Sequence, residues 1–120
     1  MQNERLKQLF QFYSENSQDC FVLYAIATEY VSLAQYSEAL RYFGELLSVD
    51  VGYLGAYYHI AKVHEKMDNA PLAVFFYKKG ILIATQQKDL KTLAELQTAL
   101  ALITPDDDED LGVLFYAAKK

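Results

Sequence analysis

Two histidines, one cysteine and a scatter of carboxylates are the residues here that could do chemistry, and their spacing argues against it. His59 and His64 lie five positions apart, which on a helix sets them about 140° out of phase. Helical metal pairs sit at i and i+4 on one face, so these two do not make a metal site. His64 is expected as a packed, hydrogen-bonded core residue. Cys20 is the only cysteine; no base lies beside it in the sequence, and a buried, inert thiol is the expected state. No glycine-rich phosphate loop follows a strand pattern, and no Ser/His/Asp set carries a local signature. The carboxylates sit singly on polar faces. The expectation is a protein that is not an enzyme and holds no metal or cofactor.

Composition narrows the class. The 120 residues allow one domain with a continuous core. Apolar residues make up 52% and charged residues 22%, an ordinary globular balance. Ten tyrosines and seven phenylalanines are the unusual feature; tyrosine suits surfaces that are partly buried or used for contact. A net charge of −5 weighs against nucleic acid as the partner. One cysteine excludes an internal disulfide and fits a reducing compartment. The opening MQNERLKQLF lacks the apolar core of a secretion signal. The longest apolar runs, such as LAVFFY at 72–77, are far too short to span a bilayer. A soluble, cytoplasmic protein with no membrane segment is expected.

The elements that must position any site read as six helices. The first covers about Asn3 to Glu15, with Leu6, Leu9, Phe10 and Tyr13 on one stripe. Asn16–Asp19 offers capping side chains for a second helix at about 19–33, followed by a third at about 37–48. Asp50-Val51-Gly52 interrupts before a fourth at about 53–67. Pro71 sits in the first turn of a fifth, which runs through Gly80 to about Gln87. Asp89 can cap a sixth, whose apolar stripe is Leu90, Leu93, Leu96, Leu100 and Ile103. No strand-like alternation of useful length occurs. The fold class is all-α.

The second to fifth helices repeat one pattern at an offset of 34 residues. Tyr24, Ile26, Ala27 and Ala39 recur as Tyr58, Ile60, Ala61 and Ala73; Leu23, Tyr30, Phe43 and Leu47 recur in kind as Tyr57, His64, Tyr77 and Ile81. A fixed period of this length is the mark of stacked helical hairpins. The alanines have a packing reason, because a larger side chain would hold the paired backbones apart.

On these residues the sequence resembles the tetratricopeptide repeat family, as a small protein of two to three repeats. The resemblance covers about residues 3–103. It implies a right-handed superhelical stack of antiparallel hairpins within 1–103. The reading is a half-repeat helix at 1–17, repeats at 20–53 and 54–87, and a capping helix at 89–103. The sequence departs from the family pattern at Leu46, where a small residue is usual, and at Val51 and Thr85, where a closing proline is usual. The sixth helix fits the first-helix pattern of a repeat if two residues are inserted.

The resemblance also implies a concave groove lined by the first helix of each hairpin. In the first repeat the groove positions are Phe21, Tyr24, Thr28 and Val31; in the second they are Gly55, Tyr58, Lys62 and Glu65, with Lys66 nearby; in the sixth helix they are Lys91, Ala94 and Thr98. Tyr24 and Tyr58 would stand side by side and grip an extended or helical peptide. Alternatively, both pack against neighbouring helices. Some family members clamp a peptide carboxylate with Lys, Asn and Arg on these faces. Here Tyr24 and Thr28 occupy the positions of Lys and Asn, so that clamp is not expected. A protein or peptide partner is the expectation, with a homodimer formed through open ends or the tail as the alternative.

The tail at 104–120 falls outside the repeat. Five acids, Asp106 to Asp110, precede Leu111-Gly112-Val113-Leu114-Phe115-Tyr116. The acids read as a solvated linker in a disordered tail, or as the first turn of a short helix capped by Thr104 with Leu111, Leu114, Phe115 and Ala118 as its stripe. Such a helix would need a surface to dock on, which is the exposed side of the sixth helix, the groove of the same chain or another copy; a partner-binding motif is the third reading.

Overall fold

The computed structural model of the protein describes residues 3–104, and these form six α-helices. The helices are α1 (Glu4–Glu15), α2 (Cys20–Ser32), α3 (Tyr36–Val49), α4 (Leu54–Lys66), α5 (Ala70–Gln87) and α6 (Leu90–Ile103). The expectation for the tail, with its acidic run and apolar stripe, lies outside the described residues.

Four of the helix starts are closed by side chains of the expected kind. Asn3 Oδ1 accepts from the Leu6 amide at 3.1 Å, and Asp19 Oδ1 accepts from Phe21 and Val22 at 3.0 and 3.3 Å. Asn69 Oδ1 accepts from Leu72 at 3.3 Å, and Asp89 accepts from both the amide and the hydroxyl of Thr92. Each satisfies an amide that has no partner inside its own helix.

The repeat extends to the backbone of the turns. Ala34 and Asp68, 34 residues apart, both take φ 58°. At both, the following amide returns to the helix behind it: Gln35 N–H donates to Tyr30 O at 2.9 Å and Asn69 N–H to His64 O at 2.8 Å. A left-handed residue at this point ends a helix and reverses the chain within two residues. The units end differently. Asp50 closes α3 in extended conformation, whereas α5 continues to Gln87 and closes at Lys88 with φ 59°. Gln87 then reaches back across the repeat, its Nε2 donating to Gly52 O at 2.7 Å.

Each helix packs on its neighbour in sequence, and α2 also touches α4. Ala27, Ala39, Ala61 and Ala73 are all fully buried, as their size requires. Leu23, Ile26, Phe43 and Leu46 fill the first core, and Tyr77, Ile81, Leu96 and Leu100 fill the second. Gly80 marks the tightest point between α4, α5 and α6. A Cβ there would stand 3.0 Å from Tyr57 Cβ and 3.1 Å from Leu96 Cδ1.

Three expectations need correction. Leu90 is exposed, because it is the first residue of α6 and precedes the face that meets α5. His64 is buried and stacked on Phe76, with ring centroids 5.6 Å apart, but its Nδ1 has no hydrogen-bond partner among the described residues. Cys20 is half-buried rather than buried, since it opens α2 at the edge of the core.

Candidate functional site: the cleft between α4 and α6

Residues of α4 and α6 line an open cleft of about 380 Å³. Tyr58 and Lys62 form one wall; Ala94, Glu95, Thr98, Ala99 and Leu102 form the other. Tyr58 and Lys62 are four apart on α4, and Ala94 and Thr98 are four apart on α6, so each pair projects from one helical face. The partners across the cleft differ by 36 rather than 34 in number. That slip of two follows from the longer α5, which places the start of α6 two residues late.

The lining combines apolar Tyr58, Ala94, Ala99 and Leu102 with charged Lys62 and Glu95. Lys62 Nζ lies 5.6 Å from the centre of the Tyr58 ring and 3.7 Å from Glu65 Oε2. The same Glu65 oxygen accepts from the Tyr77 hydroxyl, and burial together with that bond pushes the Tyr77 phenol far above its ordinary value. Lys62 is therefore held over an aromatic face by a carboxylate that is itself anchored in the core. Glu95 brings the opposite charge from α6, and Leu102 is exposed over 73% of its surface.

The predicted groove residues fall into separate groups. Tyr58, Lys62, Ala94 and Thr98 are brought together. Glu65 lies at the end of α4, lining a second depression with Asp68, Ala70 and Ile103. Lys66 is exposed nearby, and Phe21, at the start of α2, is 73% exposed. Thr28 donates its hydroxyl to Ala25 O within its own helix, and Val31 packs on the first core.

Tyr24 and Tyr58 do not stand side by side. His59 lies between them, in edge contact with Tyr24 at 5.6 Å and with Tyr58 at 5.8 Å. Tyr24 has turned onto α4: its ring also meets Phe43 and Tyr53, and a Cβ at Gly55 would stand 3.2 Å from its Cε1 and hydroxyl. Gly55 is thus covered rather than open, and burial raises the Tyr24 phenol pKa. The sequence reading missed His59 as a spacer, and missed Glu95, Ala99 and Leu102 as cleft residues. The last three become visible once α6 is aligned with its slip of two.

Among the described residues, no group of three His, Cys, Asp or Glu side chains could hold a metal ion. None of the described helices is long and apolar enough to cross a membrane.

Two solved structures from Salinibacter ruber share both sequence and fold with this chain. The solution structure of a tetratricopeptide repeat domain protein is 35% identical, with a TM-score of 0.70, over 77% of this chain and 93% of the other. A crystal structure of a tetratricopeptide repeat domain protein from the same organism is 36% identical, with a TM-score of 0.68, over 74% of this chain and 99% of the other. PcrH, solved in complex with the chaperone binding region of PopD, has a TM-score of 0.78 at 17% identity, over 83% of this chain and 76% of its own; it shares the fold. No family profile and no curated protein matches the sequence.

Proposed function

The chain belongs to the tetratricopeptide repeat family, and on that premise we propose that it is a non-catalytic protein-interaction module. A peptide or partner helix is held in the cleft between α4 and α6. The repeat frame kept in this reading is 20–53 and 54–87, with a leading half-repeat and α6 as the cap.

The observation that carries the proposal is the cleft itself: Tyr58, Ala99 and Leu102 give it an apolar lining, with Lys62 on the α4 side and Glu95 on the α6 side. Such a site takes an apolar side chain as its anchor and fixes the flanking chain by polar contacts on either side. PcrH, whose fold this chain shares, was solved with a segment of another protein. Of Phe21, Tyr24, Thr28 and Val31, the positions expected for the first repeat, Phe21 at the start of α2 is the exposed apolar one.

The test is capture from native extract by the full chain and by a Thr98→Arg variant, which fills the cleft from an exposed position. The expected result is that a partner retained by the parent is lost from the variant while helical circular dichroism is unchanged. Equal retention by the folded variant would overturn the cleft as the binding site.

A further inference from the structure

An aromatic ring packs where α2 meets α4, and a carboxylate stands at the corresponding place between α4 and α6. In the first seam His59 is stacked on Phe43 and in edge contact with Tyr24 and Tyr58. Carried forward by the 36-residue offset, the place of His59 falls on Glu95 of α6. Glu95 is exposed and lines the cleft with Tyr58. The two charges of the lining differ in their partners. Lys62 is answered by Glu65 at 3.7 Å and lies over the Tyr58 ring. Glu95 makes no ion pair or hydrogen bond among the described residues, and Lys91, one turn before it, is outside the lining. The hydroxyls beside it are also unused. Thr28, Thr85 and Thr104 each donate to a carbonyl in the turn behind them, and Thr92 donates to Asp89. The hydroxyls of Thr98 and Tyr58 make no hydrogen bond among the described residues.

Resting on the reading of the cleft as the binding site, we propose that its ligand is a peptide segment bearing a lysine or arginine beside a bulky apolar residue. The apolar residue lies against Tyr58, Ala99 and Leu102, and the cation pairs with Glu95. The hydroxyls of Tyr58 and Thr98 serve the polar backbone of the segment, which loses water as it enters. An acidic segment fits less well for two reasons. It would bring a carboxylate up to the unpaired Glu95, and it would compete for Lys62 with Glu65, which the Tyr77 hydroxyl holds in place. The net charge of −5 favours the approach of a basic segment in the same sense.

The test is selection from a displayed library of random peptides against the full chain, followed by titration of the selected sequences as synthetic peptides. Peptides that the parent retains and Thr98→Arg releases are expected to carry Lys or Arg within one turn of an apolar residue. Replacing that basic residue by Glu is expected to weaken binding to the parent about fivefold. Against Glu95→Arg the order is expected to reverse, with the Glu-bearing peptide bound more tightly than the basic one. Peptides released by Thr98→Arg that show no basic preference would overturn this inference and leave the cleft standing as the binding site. A basic preference that survives Glu95→Arg unchanged would do the same. Selected peptides held equally by Thr98→Arg would overturn the cleft itself, and this inference with it.

Discussion

His59 lies flat on Phe43, with ring centroids 5.8 Å apart and planes 7° from parallel. The contact joins α4 to α3 across the boundary between repeats, and the edges of Tyr24 and Tyr58 close around the imidazole. No charged group is among these partners, and burial lowers the His59 pKa; burial lowers His64 as well.

A pH dependence follows from the sign of those shifts. The unfolded chain takes up protons at its histidines as pH falls through about 6.5, while the folded chain resists until lower pH. The stabilisation is complete above that value and is lost as pH falls through the depressed folded values. The urea midpoint is expected to drop between pH 7.5 and 5, and to drop less in His59→Gln. An unchanged slope in that variant would show that the stack does not resist protonation.

His64 offers a gain in stability. It stands where the first repeat has Tyr30, is stacked on Phe76, and keeps Nδ1 without a partner among the described residues. Replacing a buried unsatisfied polar group by an apolar ring of similar shape is worth about 1 kcal/mol. His64→Phe is expected to raise the denaturation midpoint at pH 7, read by circular dichroism.

The hairpin turns carry removable strain. Ala34 and Asp68 both hold φ 58°, a conformation that costs an L-residue about 1 kcal/mol and glycine almost nothing. Ala34→Gly is expected to stabilise the chain by somewhat less than that, because glycine also loses more freedom on folding. Thermal denaturation of the single variant checks it, and a fall in midpoint would contradict the assigned turn.

Gly80 behaves in the opposite way. Leu46 is fully buried at the equivalent place in the first repeat, but Tyr57 and Leu96 leave no room in the second. Gly80→Leu is expected to cost about 3 kcal/mol by overpacking, against a gain of about 1 kcal/mol in helix propensity. A neutral change in the denaturant midpoint would show that α6 can shift away from α5.

The packing alanines were legible in the sequence because Ala27, Ala39, Ala61 and Ala73 repeat at one spacing with one steric reason. The six helices were legible because their apolar stripes recur at helical spacing, with capping residues at the starts of α1, α2, α5 and α6 and Pro71 in the first turn of α5. The groove was less so. Tyr24 and Tyr58 are equivalent in pattern, yet Tyr24 faces Gly55 and lies down on α4. The counterpart of Gly55 on α6 is the exposed Lys91, so Tyr58 keeps one side on the cleft. That distinction depends on which residue stands opposite across the helix pair, and a repeat pattern read along one helix does not carry it. Likewise, Glu95 and Leu102 enter the cleft through the two-residue slip that the longer α5 imposes.

The most direct measurement is a chemical-shift map of the ¹⁵N-labelled chain titrated with the segment of the captured partner. The account predicts that the largest shifts fall on Tyr58, Lys62, Ala94, Thr98 and Leu102, and that Thr98→Arg abolishes them. Shifts confined to α1 or to the outer face of α5, with the cleft residues unmoved, would contradict it.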